Sequence, residues 1–170
     1  RVIPCLLIRD GGLVKTISFN DDKYVGDPIN AVRIFNEKEV DELIVLDIDA
    51  TTDGREPDLS MIESLAAECR MPLCYGGGVR SAELARQIIS VGVEKIAISS
   101  AAIKNPSIIE DIANAIGSQS VVVVLDIRKE RWRKGYRVYV QNGNESTGKS
   151  PYDILSMFNI EQIGEVLINS

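Results

Sequence analysis

Residues 120–127 read SVVVVLDI: an apolar run with one aspartate, Asp126, near its end. The run is continuously apolar rather than alternating, which is the pattern of a strand buried on both faces. Five shorter runs of the same kind surround it, at residues 2–8 (VIPCLLI), 43–48 (LIVLDI), 72–75 (PLCY), 95–98 (KIAI) and 165–168 (EVLI). Between them lie amphipathic helical patterns. Residues 28–36 carry Ile29, Val32, Ile34 and Phe35, and residues 58–68 carry Leu59, Ile62, Leu65 and Ala66. Residues 81–91 open on Ser81 as N-cap, with Glu83 in the first turn. Residues 106–116 open on a proline after Asn105 and stop at Gly117. Strands separated by helices of 10–15 residues build parallel sheets. Residues 128–148 interrupt the order, and the alternation of Tyr136, Val138 and Val140 reads there as a two-stranded excursion.

Two α/β architectures share this order, an open doubly wound sheet and a TIM-type (β/α)8 barrel. A nucleotide-binding doubly wound sheet places GxGxxG after its first strand. Here that position holds Asp10-Gly11-Gly12, a turn, and the run Gly76-Gly77-Gly78 follows the third strand instead. A barrel gathers functional groups at the carboxyl ends of its strands. Asp47, Asp49, the glycine run, Ser99, Ser100 and Asp126 all stand at such ends, which favours the barrel. Residues 1–8 also align with residues 120–127, placing Leu7 opposite Asp126, and residues 42–47 align with 165–170. The offsets, 119 and 123 residues, are near half of a barrel of about 250 residues. The expectation is one barrel domain over residues 1–170, apparently truncated after the sixth strand.

Composition excludes several chemistries. The chain of 170 residues has no histidine, which removes His-based triads, His general bases and His metal ligands. Three cysteines, Cys5, Cys69 and Cys74, form no CxxC pair, and their odd number suits reduced thiols in a cytoplasm. A net charge of −6 argues against a nucleic-acid footprint. No apolar run approaches the ~18 residues of a membrane span. The expectations are a cytoplasmic protein with no membrane or nucleic-acid partner, no cofactor and no metal.

The glycines at 76–78 let backbone N–H groups approach an anion, and residues 100–103 could begin a short helix whose N-terminus attracts it. Gly77, Gly78, Ser99 and Ser100 are therefore the candidate phosphate cradle.

The blocks RVIPCLLIRDGGLVKT (1–16), YVGDPINAV (24–32), VDELIVLDIDAT (40–51), MPLCYGGGVRS (71–81), GVEKIAISSAAIKNPSII (92–109) and GSQSVVVVLDI (117–127) resemble the cyclase subunit of imidazole glycerol phosphate synthase. The resemblance implies a (β/α)8 barrel that continues beyond the last residue here. It also implies a glutaminase subunit as partner, whose ammonia crosses the barrel core to a phosphorylated substrate at the opposite mouth. Two aspartates at the ends of strands one and five do acid-base work in that family. The second corresponds to Asp126, and the first to Leu7, which can neither give nor take a proton. Lys15 matches a lysine near the substrate, and Asp47 a polar group lining the same mouth, with Asp49 and Asp53 flanking it. The family has an amide side chain where Ser99 stands. Arg1, Glu42, Lys95 and Glu165 match its ring of salt-bridged residues at the ammonia entrance, and Glu68, Arg70, Glu94 and Glu161 could rim a glutaminase docked there.

Three functions follow as alternatives. One is the cyclase of histidine biosynthesis. Another is a diverged paralogue that amidates a phosphorylated or nucleotide-activated sugar for surface-polysaccharide synthesis. The third is a non-catalytic half-barrel, a fragment or an interaction module. Leu7 favours the second over the first, as do the blocks CLLIRDGGLVKT (5–16), GDPINAVRIFNEKEVDEL (26–43) and DGREP (53–57), which resemble that branch. Unpaired edges on strands one and six suggest a homo-oligomer.

Overall fold

A computed structural model describes residues 1–17, 20–130 and 135–170. Residues 131–134 of the expected excursion lie outside the described residues. In chain order the strands are β1 (Cys5–Arg9), β2 (Gly12–Ile17), β3 (Asn20–Gly26), β4 (Leu43–Asp47), β5 (Leu73–Gly76), β6 (Lys95–Ile98), β7 (Val121–Lys129), β8 (Tyr136–Val140), β9 (Glu145–Ser146) and β10 (Glu165–Asn169). The helices are α1 (Pro28–Glu37), α2 (Leu59–Glu68), α3 (Ala82–Ser90), α4 (Ser100–Lys104), α5 (Ser107–Ile116) and α6 (Pro151–Leu155).

Six strands pair in parallel in the order β1-β4-β5-β6-β7-β10. These are the six apolar runs, and with helices following the strands they form a partial TIM-type barrel. Alternation along each strand decides which side chains face where. In β7, Val121, Val123, Leu125 and Ile127 join an outer core with Val32, Ile62, Leu65, Ile88 and Ile112 of the helices. Val122 and Val124 face the other way, into an inner cluster with Ile44, Cys74 and Ala97, against which Ile3, Leu46 and Leu167 pack. Both faces of the sheet are thus apolar, which is why its strands read as unbroken hydrophobic runs. Each large side chain fully buried between sheet and helices contributes roughly 1.5–3 kcal/mol. On β10 the parity leaves Val166 and Ile168 outward, at 37% and 49% exposure.

Helix starts follow their capping residues. Asp27 accepts hydrogen bonds from the backbone N–H groups of Ile29 and Asn30, Asp58 from Met61, and Ser81 from Leu84. The helix expected from Pro106 begins one residue later, at Ser107, with Pro106 itself in the cap position and no side-chain cap bond.

Two antiparallel additions flank the parallel strands. Asp10 and Gly11, at φ 49° and 74°, form a two-residue turn that folds β2 back on β1, and β3 then pairs with β2. This hairpin was not expected; only its turn was. At the other side β7 runs on to Lys129, pairs with β8, and β8 with β9. The described residues of this excursion therefore form a β-ribbon built on the extension of the fifth parallel strand. A further unexpected element, α6, carries a capping box between Ser150 and Asp153.

Candidate functional site

A cavity of about 320 Å³ opens at the carboxyl ends of the parallel strands. Its floor is inner-facing residues of the sheet, Leu7, Leu46, Ala97 and Val124, and its wall is made by the loops that leave those strands. Of the candidate residues, Asp47, Gly77, Gly78, Ser99, Ser100 and Asp126 all line it. Leu7 lines it as well, so the two positions matched by the internal alignment share one cavity.

Asp126 reaches the cavity because it continues the inward parity of Val122 and Val124. It is 9% exposed. Burial pushes its carboxyl above the ordinary aspartate range, while a hydrogen bond from Asn169 and the charge of Arg128 pull the other way. The Asn169 amide Nδ2 donates to Asp126 Oδ1 at 2.8 Å, across the register pair that joins β10 to β7. Asn169 was not among the expected residues. The signal was present, since alternation from Glu165 through Leu167 places residue 169 on the inner face. Thr16, Thr51 and Asn142 also line the cavity without having been singled out.

Asp47, 8% exposed, turns part of its carboxylate on its own loop. Its Oδ1 accepts hydrogen bonds from the backbone N–H groups of Asp49 and Ala50, and Arg55 stands 3.5 Å away. Arg9 at the end of β1 holds Asp49 through a guanidinium N–H donated at 2.8 Å. Asp53 pairs with Arg55 at 3.2 Å.

The glycine run is required by crowding. A Cβ on Gly77 would lie 2.4 Å from the Asp47 carbonyl oxygen, and one on Gly78 2.8 Å from that of Arg55; both residues have positive φ. The ends of β4 and β5 are thereby locked together. Beyond β6, Ser99 carries a buried hydroxyl with no hydrogen-bond partner, and Ser100 accepts a bond from the backbone N–H of Gln141 at 3.0 Å. An unpartnered hydroxyl beside a cavity is a group free to bind a ligand.

Lys15 lies elsewhere. It sits on β2 between Val14, which is buried, and Thr16, which lines the cavity; its own side chain is exposed and is not part of the cavity lining.

At the opposite end of the strands the four charges come together. Lys95 Nζ donates to Glu42 Oε2 at 2.8 Å and to Glu165 Oε1 at 2.9 Å. Arg1 donates to both oxygens of Glu165 at 3.0 Å, and its guanidinium lies 3.8 Å from Glu42. Glu42 is 4% exposed, so its charge is buried with Lys95 as counter-ion. The hydrogen bond from Lys95 and the Arg1 guanidinium hold the Glu165 carboxyl below the usual glutamate range against its desolvation.

Among the described residues no group of three or more cysteine, aspartate or glutamate side chains is arranged to hold a metal. Among them, too, no helix is long and apolar enough to cross a membrane.

Residues 1–170 match the family described as histidine biosynthesis protein. The chain is 54% identical, over all 170 residues and 67% of the relative, to the "Putative imidazole glycerol phosphate synthase subunit HisF" of Leptospira interrogans. It is 52% identical over the same shares to the "Putative imidazole glycerol phosphate synthase subunit hisF2" of Pseudomonas aeruginosa. Identity to the "Imidazole glycerol phosphate synthase subunit HisF" of Alkaliphilus metalliredigens is 40%, again over the whole chain and 67% of the relative. The chain thus spans about two thirds of the length of these relatives.

Proposed function

Because the chain belongs to the histidine biosynthesis protein family, within the cyclase subunits of imidazole glycerol phosphate synthase type, we propose that it serves as the ammonia-accepting subunit of a two-component glutamine amidotransferase. The finer reading is a diverged paralogue that amidates a phosphorylated or nucleotide-activated sugar rather than the histidine intermediate. One observation carries this reading: Asp126 and Leu7 line the same cavity, so one carboxylate stands where the resemblance implies a pair. Cyclisation that divides acid and base duties needs two positioned groups. Addition of ammonia to a carbonyl or activated carbon needs one base, to take a proton from the attacking nitrogen. The higher identity to the Leptospira and Pseudomonas relatives than to the Alkaliphilus one is in keeping with a separate branch.

On this reading a glutaminase docks at the strand-start face, where Arg1, Glu42, Lys95 and Glu165 form the entrance. Neutral ammonia passes the inner cluster of Ile44, Cys74, Ala97, Val122 and Val124, whereas ammonium would lose its hydration there at a cost of several kcal/mol. It emerges beside Asp126, which accepts the proton. Gly77, Gly78, Ser99 and Ser100 hold a phosphate of the substrate, and Asp47 lines the mouth. Lys15, exposed and outside the cavity lining, takes no direct part on this reading.

The experiment supplies ammonium chloride in place of the glutaminase and compares phosphorylated aminoimidazole precursors with nucleotide-activated sugars. Amidation of a sugar that falls about 10²–10⁴-fold in Asp126→Asn is the expected result. Turnover of the aminoimidazole precursor would return the chain to the histidine-pathway cyclase, and wild-type turnover by Asp126→Asn would remove Asp126 from the chemistry.

A further inference from the structure

Leu7 leaves Asp126 without a second carboxylate, yet a polar side chain does reach it. Asn169 stands directly beside Asp126 in the parallel register of β10 on β7, lines the same cavity, and gives its amide N–H to Oδ1 at 2.8 Å. We propose that Asn169 is the positioning residue for Asp126: it anchors Oδ1, fixes the plane of the carboxyl group, and so assigns proton acceptance to Oδ2.

The chemistry of the asparagine supports this. An amide N–H is a donor that cannot itself ionise near neutral pH, and a hydrogen bond to a carboxylate stabilises the charged form over the neutral one. A second aspartate in its place would do the opposite, since two carboxylates in contact raise one another's proton affinity. Such a pair can share a proton and work as acid and base in turn. Asparagine gives up that exchange and commits the site to a base. Asn169 is held for the task, because its strand pairs with β7 along five consecutive residues, from Glu165↔Val122 to Asn169↔Asp126. Other groups near Asp126 differ in kind: Leu7 is apolar, the Cys5 thiol has its proton affinity raised by burial and then by Asp126, and Arg128 acts through its charge. The inference rests on the ammonia-accepting reading, in which Asp126 takes a proton from the attacking nitrogen.

The test reads the carboxyl group and needs no substrate. The side-chain carbon of Asp126 is followed by 13C NMR across pH in the wild type, Asn169→Ala and Asn169→Ser. Resonance assignment comes from Asp126→Asn, and circular dichroism checks that each variant is folded. Removal of the amide in Asn169→Ala should shift the Asp126 titration upward, because the larger of the two influences opposing burial is then gone. Asn169→Ser, which keeps a hydroxyl donor, should recover part of that shift. An unchanged or lowered titration in folded Asn169→Ala overturns the proposal, and so does an equal shift in Asn169→Ala and Asn169→Ser. Failure of the broader reading looks different: no candidate substrate is aminated, whatever the titration does.

Discussion

The two ends of the parallel strands carry charge in opposite ways. At the strand starts, Lys95 bridges Glu42 and Glu165, and Arg1 closes on Glu165, so two cations answer two anions within hydrogen-bond distance. At the strand ends, Asp126 is buried with an amide for its nearest partner, and the Ser99 hydroxyl has none. The first end is settled by its own side chains. The second is settled only in part and keeps groups free for something else to satisfy. Barrels commonly separate stability from chemistry in this way, with the chemistry at the carboxyl ends of the strands.

The difference can be broken most forcefully at the strand starts. Lys95→Met leaves the Glu42 carboxylate buried with only the more distant Arg1, and unpairing a buried ion costs about 3–5 kcal/mol. A large drop in the urea midpoint is expected; an unchanged midpoint would make the charged layer a surface feature. A smaller effect is expected from pH. Glu165 has a folded-state pKa lowered first by Lys95 and further by Arg1, so its contribution to stability is complete above the ordinary glutamate value. It is lost as pH falls through the folded value. Wild-type stability should therefore decline on acidification by under about 1 kcal/mol from this source, and denaturant melts of Lys95→Met across the same range should show a flatter decline.

The smallest effect belongs to the mouth. Asp126 is shifted the other way, so it contributes stability below its unfolded value that is lost as pH rises through the folded one. Above the folded value its charge is a cost. Asp126→Asn should keep the melting temperature or raise it by no more than about 2 °C while lowering the proposed amidation about 10²–10⁴-fold. A destabilised Asp126→Asn would erase the contrast between the two ends.

What the sequence made legible follows the same division. The six parallel strands were readable because burial on both faces leaves no polar residue to break the run, as in VVVVL of β7. The hairpin of β2 and β3 was not, because GLVKTI mixes Val14, buried, with Lys15, exposed, and Thr16 at the cavity. A half-solvated strand of that kind carries a weak pattern. The α6 helix carries no periodicity in the sequence because five residues are too few for it, although Ser150, Pro151 and Asp153 mark its start. In the site, strand-end residues could be placed by parity alone. Asn169 could not be given a purpose that way, since its meaning depends on the register that sets it beside Asp126. Lys15 illustrates the converse: a position near the first strand end says little about direction once the chain turns back at Asp10-Gly11.

The crowding at Gly77 and Gly78 has a further consequence, for how freely this scaffold can be rewritten. Backbone contacts clamp the β4 and β5 ends, so the frame of that part of the mouth is set apart from the side chains at positions 7, 126 and 169. Positions 7 and 126 project from strands whose opposite faces are already packed, and an exchange of leucine for an acid at position 7 asks nothing of the outer core. The chemistry of such a site is a set of interchangeable inserts in a fixed frame, and new reactions lie a few codons apart.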